Sequence, residues 1–241
     1  MEPMKKVITS GRTFEEYLAM FDLDVNDLLG QSILDCPGGA GEFNDCVAAR
    51  GGDVISVDQV YGLSPTELAA MVGRQRREHL QHVGNAAGAR YRPWFATWEA
   101  QEAEWTAAAH RFVASFTRDR EAAENARRYV AAVLPDLPFP PGRFDLVLSS
   151  HLLFSYPDQI SYADHLSYLL ELMRVTNCAS GRALVHPLVD SLGVRYPKLD
   201  ELRRDLSHLG VRTEIVKVPY GMHQDGNHTL RCRWRKVQVP T

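Results

Sequence analysis

Ser32-Ile33-Leu34-Asp35-Cys36-Pro37-Gly38-Gly39-Ala40-Gly41-Glu42-Phe43, followed by Asp53-Val54-Ile55-Ser56-Val57-Asp58, is the stretch that decides the fold. Each segment carries a short apolar run ending in an acid. A glycine-rich turn follows the first run, and Glu42 to Arg50 is long enough for a helix. A strand, a helix and a second strand in so few residues imply parallel pairing and a right-handed crossover. In open parallel sheets, ligands sit beyond the carboxyl ends of the strands. The turn after the first strand must then approach its ligand closely, and glycine removes the side chain that would block it. The following helix offers free N–H groups. An acid ending the second strand can accept two hydroxyl hydrogen bonds.

Further strands are expected at Tyr129 to Val133, Phe144 to Ser149 and Arg182 to His186. Ser161 to Val175 reads as a helix, with Ser161 and Asp164 placed as a capping box ahead of the stripe Ala163, Leu166, Leu169, Leu170 and Met173. Leu199, Leu202, Leu206 and Leu209 mark a helix stopped by Gly210. Thr213 to Val218 and Thr229 to Arg235 read as an antiparallel hairpin around Asp225-Gly226, with Leu230, Cys232 and Trp234 alternating with arginines.

Two regions elaborate this frame. Residues 1–30 form an N-terminal helical segment, with Thr13 to Leu29 reading as helical. Residues 62–128 separate the second and third strands by roughly 40 residues more than the about 20 to 25 a helical crossover needs. Ser64-Pro65-Thr66-Glu67 is a helix start, and Trp94, Trp98, Trp105, Phe112 and Phe116 form a second helical stripe. We expect a helical cap that closes over a substrate, or failing that a dimer seam, within a single domain spanning 1–241.

The chain has 241 residues, of which 45% are apolar and 24% charged, with a net charge of −3. Such a balance gives no footprint for a nucleic-acid backbone. Arg74, Arg76 and Arg77 read as a solvated helix face. Cys36, Cys46, Cys178 and Cys232 are too scattered for a disulfide framework or zinc knuckle. His79 with His82, and His223 with Asp225 and His228, are weak metal-ligand patterns, so no metal is expected. No apolar run reaches the ~20 residues of a membrane span, and the N-terminus lacks the apolar core of a signal peptide. A cytoplasmic protein, with no membrane partner, is expected.

Asp35-Cys36-Pro37-Gly38-Gly39-Ala40-Gly41 with Asp58 resembles the first two motifs of the class I S-adenosylmethionine-dependent methyltransferases. Leu137-Pro138-Phe139 through Phe144-Asp145-Leu146-Val147 is similar to the family's approach to its fourth strand, and Ser180 to Val185 to the turn into its fifth. The segments SSHLLFSY and VPYGMHQDGNHTLRCRW look like a bacterial subgroup. The resemblance implies a Rossmann-like α/β fold: a seven-stranded sheet, mostly parallel, with an antiparallel C-terminal hairpin and helices on both faces. It also implies S-adenosyl-L-methionine as cofactor. Gly39 and Gly41 match the family's second and third glycines, and Asp58 its ribose-binding acid, beside Gln59. Pro37 replaces the first glycine. Val133 stands where the family often has an acid for the adenine amino group, which leaves backbone around Leu134. Glu16-Tyr17 and Met20-Phe21 resemble the segment that covers the cofactor, so Tyr17 joins Asp35, Pro37, Gly38, Gly39, Gly41, Asp58, Gln59, Val133, Leu134 and Ser149 as expected cofactor contacts. An NAD site would need G-x-G-x-x-G, which is absent.

Methyl transfer from a sulfonium is an in-line displacement in which the protein supplies binding and alignment. Ser149-Ser150-His151-Leu152-Leu153-Phe154-Ser155-Tyr156 follows the fourth strand and lacks the Asn/Asp-Pro-Pro-Tyr/Phe motif of the family's nucleobase and glutamine enzymes. A small or medium organic acceptor is therefore expected. His151 is the candidate base, or else it caps the strand end. Trp94, Trp98, His151, Tyr156 and His186 are the expected acceptor contacts, with core packing as the alternative for each tryptophan. Open alternatives are a nucleic-acid methyltransferase, a protein of this fold that binds the cofactor without methylating, and a homodimer.

Overall fold

The computed structural model of the chain describes residues 9, 11–86, 92–124, 127–223 and 225–235. Its centre is a seven-stranded sheet of order β3-β2-β1-β4-β5-β7-β6. The strands are β1 (Ser32–Asp35), β2 (Asp53–Val57), β3 (Tyr129–Val130), β4 (Leu146–Ser150), β5 (Arg182–His186), β6 (Val211–Lys217) and β7 (His228–Trp234). The first five pair in parallel, while β7 runs antiparallel to β5 and β6. This is the Rossmann-like arrangement expected from the sequence, and it puts the carboxyl ends of β1, β2 and β4 side by side.

The helices are α1 (Phe14–Phe21), α2 (Val25–Leu28), α3 (Phe43–Ala48), α4 (Pro65–Ala86), α5 (Trp98–Glu121), α6 (Tyr162–Val175) and α7 (Leu199–His208). Central strands are buried on both faces, which is why they read as apolar runs. Leu34, Val147 and Val185 face a core shared with Leu169, Met173, Leu202 and Leu206 of α6 and α7. Ile33, Leu146, Leu148 and Leu184 face the other core, with Tyr17 and Met20 of α1, Phe43 of α3 and Trp105 of α5.

The Thr13–Leu29 segment is two helices. Thr13 and Glu16 form a reciprocal capping box at the start of α1, Asp22 ends it at φ 50°, and Asp24 caps α2. Left-handed geometry at Asp22 breaks the hydrogen-bond ladder, so the apolar spacing continues through a turn. In β4 the ladder begins at Leu146; Phe144 instead makes an isolated bridge to Thr176. β3 is two residues long, and Val133 folds back on Asp136.

The 62–128 insertion is a helical pair. Ser64 and Glu67 exchange backbone and side-chain hydrogen bonds at the start of α4. Leu68 and Val72 of α4 pack with Phe112 and Phe116 of α5 around Tyr61 and Tyr129, tying both helices to the sheet. Among the described residues no helix is long and apolar enough to cross a membrane.

Candidate functional site

The glycine turn is fastened to the end of β2 from three sides. Gly38 N–H donates to Val57 O at 2.9 Å. Gly39 N–H donates to Asp58 Oδ2 at 3.1 Å. The Tyr61 hydroxyl donates to Gly39 O at 2.8 Å. A Cβ at Gly38 would fall 2.5 Å from Tyr61 Oη and 2.7 Å from Ser56 Cβ, so only glycine lets the turn lie this close to β2. Gly39 holds φ 55°, where glycine carries no steric cost.

Asp58 also accepts from Val60 N–H at 3.1 Å, through Oδ1. Burial raises its pKa against the backbone donors that lower it. Behind the turn, Asp35 accepts from Ser56 Oγ at 3.0 Å and from the Tyr17 hydroxyl at 3.1 Å. That hydroxyl also lies 3.2 Å from Ser150 Oγ. Burial outweighs these two donors and pushes the Asp35 carboxyl up to about 7.

These elements surround a cavity of about 510 Å³, bordered among others by Tyr17, Pro37, Gly38, Gly39, Asp58, Gln59, Val133, Leu134 and His151. The volume falls within the roughly 300–1,000 Å³ of ordinary ligand pockets. One wall is apolar, from Ala132, Val133, Leu134 and Leu152. The polar lining comes from Thr9, Arg12, Ser150 and His151, with Met71, Arg74, Gln75 and Glu78 contributed by α4.

Other expected residues stand behind this surface. Asp35 supports Tyr17 from below. Gly41 leaves room for the Tyr17 ring, whose Cε2 would sit 3.3 Å from a Cβ there. Ser149 does not border the cavity; its Oγ is buried with no hydrogen-bond partner among the described residues. Side chains alternate along a strand, and the cavity side of β4 belongs to Ser150.

The expected acceptor contacts are divided. His151 borders the cavity in the left-handed region, at φ 51°, with its N–H bonded to His186 O at 2.7 Å. His186 is 2% exposed, and its Nδ1 lies 3.1 Å from Thr229 Oγ1. Burial drives its pKa down to about 3, so it is a neutral packing group beneath His151. Tyr156 is buried and, like His186, Trp94 and Trp98, is not among the residues bordering the cavity. Trp94 packs on Tyr220 with ring centroids 5.1 Å apart, and Trp98 joins the same core cluster. Of the aromatic stripe, Trp105, Phe112 and Phe116 are buried, while Trp94 and Trp98 are partly buried against that core, and Met71, Arg74, Gln75 and Glu78 of α4 border the cavity.

The largest omission from the sequence reading is Arg12. It borders the cavity yet is 6% exposed. Its Nη1 lies 3.5 Å from Glu16 Oε1 and donates to the Tyr220 hydroxyl at 3.4 Å. Its guanidinium carbon sits 4.6 Å from the Trp105 ring centroid. Gln75 was also missed; its Oε1 accepts from Thr9 N–H at 2.7 Å. Met71, Arg74, Gln75 and Glu78 follow the i, i+3, i+4, i+7 spacing of one helix face, a signal present in the sequence. Among the described residues, no group of three His, Cys, Asp or Glu side chains could hold a metal ion. The side chains of His79 and His82 lie outside the described residues.

Among known proteins, the chain is 26% identical over 232 residues to the uncharacterized protein MJ0045 of Methanocaldococcus jannaschii, covering 95% of this chain and 97% of that one. It is similar to the solved 1,6-didemethyltoxoflavin-N1-methyltransferase of Burkholderia thailandensis, which holds 1,6-didemethyltoxoflavin and S-adenosylhomocysteine. That match has 17% identity and a TM-score of 0.45, over 88% of this chain and 76% of that one. It is also similar to magnesium protoporphyrin IX methyltransferase of Synechocystis, solved with S-adenosylmethionine. There the identity is 13% and the TM-score 0.44, over 88% of this chain and 73% of that one. No family model matches the chain. At such identities neither substrate carries over.

Proposed function

We propose that the chain binds S-adenosyl-L-methionine in this cavity and transfers its methyl group to a small or medium organic acceptor. The observation that carries the proposal is that the glycine turn, Asp58, Val133, Leu134 and His151 all border one cavity. The donor set fits the cofactor. Asp58 is a half-buried carboxylate that already accepts two backbone N–H groups and has lone pairs left for a pair of ribose hydroxyls. The Ala132, Val133, Leu134 and Leu152 wall offers an apolar surface for a flat base, with backbone groups near Leu134 for its amino substituent. Tyr17, held by Asp35 and Ser150, covers the turn.

When bound, the cofactor supplies a methyl group on a sulfonium, ready for in-line displacement. The chain's part is to align the acceptor and keep water out. His151, fixed by its backbone bond to His186 O, is the residue proposed to take a proton where the acceptor must lose one.

Calorimetry with S-adenosylhomocysteine tests the assignment. Asp58→Asn keeps one acceptor oxygen but loses the charge, and affinity should fall at least about tenfold, the weight of a charged hydrogen-bond pair. Unchanged affinity in a folded Asp58→Asn protein would reject the site. Release of S-adenosylhomocysteine on adding a metabolite extract to the cofactor-loaded protein tests transfer itself; no release from any fraction would leave a binding protein rather than an enzyme.

A further inference from the structure

Gln75 is 7% exposed on α4, where Arg74, Arg77 and Glu78 around it are exposed. A polar residue on so solvated a helix ordinarily turns its amide to water. This one is buried, and chemistry fixes which way round its amide lies. Thr9 N–H donates to Oε1 at 2.7 Å. A backbone N–H can only donate, so the amide atom it meets is the oxygen. The amide nitrogen is left with two donors, and neither has a hydrogen-bond partner among the described residues. Gln75 borders the cavity, which is the space those donors can serve. Tying Thr9 to α4 needs only an acceptor oxygen, which a glutamate would also supply. The spare donors are the part that the fold does not use, and a buried donor without an acceptor costs free energy.

Charge decides what kind of oxygen fits there. The charged side chains bordering the cavity are Arg12, Asp58, Arg74 and Glu78, two of each sign. Arg12 pairs with the Glu16 carboxylate at 3.5 Å, and Asp58 accepts two backbone N–H groups. Arg74 and Glu78 stand at exposed positions on either side of Gln75. No surplus of positive charge remains to draw an anion, and Glu78 opposes one. An uncharged pair of donors suits the two lone pairs of an uncharged carbonyl oxygen. Pro65 opens α4 beyond the end of β2, and Gln75 stands about 15 Å further along the helix. That carries it past Asp58 toward Thr9 and the N-terminal stretch.

Taking the cavity as a methyl-transfer site, we propose that the acceptor presents a neutral carbonyl oxygen and that the Gln75 amide is the group that recognises it. The bond to Thr9 pins the amide, so its donors face the acceptor without any movement of α4. A site that fixes a buried donor in this way discriminates against an analogue lacking the oxygen, because the donor is then left unpaired. Thr9 is a positioning residue, acting through Gln75.

The test uses the full chain saturated with S-adenosylhomocysteine and ligand-observed NMR at neutral pH. The probes are cyclic ketones, aryl ketones and aryl esters. Each is paired with the analogue in which CH2 replaces the carbonyl, and with a carboxylate on the same ring. The best carbonyl probe should bind at least about fivefold tighter than its CH2 analogue, and tighter than its carboxylate. Gln75→Glu keeps an oxygen for Thr9 and removes both donors, so it separates recognition from the structural bond. It should bring the carbonyl preference to parity or below, with S-adenosylhomocysteine affinity within about twofold of the parent's. If Gln75→Glu fails to fold, Gln75→Met, of similar length, carries the same expectation, and the paired comparison on the parent protein stands by itself. Equal binding of carbonyl probes and CH2 analogues, preference for carboxylates, binding of no probe, or a carbonyl preference that survives in Gln75→Glu would overturn the inference while leaving the cofactor assignment intact. A loss of S-adenosylhomocysteine affinity confined to the Gln75 variants would place the amide on the cofactor and overturn it too. Failure of S-adenosylhomocysteine to bind the parent would instead remove the cofactor assignment, and this inference with it.

Discussion

Asp35 offers the sharpest physical test of the site's interior. Its folded carboxyl titrates near 7, against 3.8 for the free side chain, because burial outweighs the Ser56 and Tyr17 donors. Between those two values the native chain holds a proton that the unfolded chain has released. Stability should therefore fall as pH rises from about 4 to about 7, and be flat above that. The full displacement corresponds to about 4 kcal/mol, an upper figure for one buried group. His186 works in the opposite direction. With its pKa lowered to about 3, it resists the proton that the unfolded histidine takes up below 6.5, so stability is lost as pH falls through that window. The two slopes oppose each other in the parent protein, and its stability profile alone is uninformative. Asp35→Asn isolates the carboxyl, since the amide keeps the uncharged shape at every pH. At pH 4.5 it should be less stable than the parent by about 1–3 kcal/mol, because one of the two hydroxyl donors loses its acceptor. By pH 8 the comparison should have moved in its favour by up to about 4 kcal/mol. Urea titrations followed by circular dichroism across that range, with constant m-values, provide the measurement. A stability difference that does not change with pH refutes the protonated-carboxyl argument. A difference moving the other way means that Ser56 and Tyr17 hold a carboxylate.

Two further outcomes follow from packing. Gly38→Ala should cost about 1–3 kcal/mol, because its Cβ would fall 2.5 Å from Tyr61 Oη and 2.7 Å from Ser56 Cβ; a denaturation midpoint equal to the parent's would show that the turn gives way easily. Trp94→Ala should lower stability by about 1–3 kcal/mol through its lost contact with Tyr220, yet leave S-adenosylhomocysteine affinity within about twofold, and calorimetry showing a larger loss would return this side chain to the site.

The parts of the fold visible in the sequence are those fixed by burial on both faces. β5 is Arg182–His186 in both the sequence reading and the structure, and β1 and β2 agree to within a residue, because a fully buried strand must be an apolar run. The capping boxes at Ser161 and Ser64 were legible because a cap is a local hydrogen-bond exchange. The failures arise where one residue's geometry overrides a pattern. Asp22 divides the helical N-terminal segment into two, a break its spacing did not show, and Ser150 rather than the expected Ser149 borders the cavity, one step along a period of two. The tryptophan stripe had helical spacing but no stated destination, since periodicity does not tell which neighbour an apolar face will meet; Trp105 is buried, and Trp94 and Trp98 pack against that core without bordering the cavity.

Arg12 was invisible for a different reason. Its environment is assembled from Glu16 on α1, Trp105 on α5 and Tyr220 ahead of β7, which meet only when the chain is folded. The same N-terminal stretch also serves the other side of the cavity. Arg12 O accepts from Glu42 N–H at 3.1 Å, and Glu42 Oε1 accepts from Phe14 N–H at 2.9 Å, which locks the start of α1 to the start of α3. One turn later Tyr17 reaches Asp35 and Ser150. This N-terminal stretch thus carries both the tyrosine beside the glycine turn, on α1, and a guanidinium at the cavity wall, just ahead of the α1 cap. Under the proposed function, a stretch braced in this way fixes the spacing between cofactor and acceptor before either arrives, and lowers the ordering cost of bringing them together. The alternative, an acceptor site carried by the helical insertion, would have to restore that spacing by closing at every turnover. The buried Glu16 network, which joins α1 to α5 at Trp105, argues instead that this part of the insertion is braced against the site and held there.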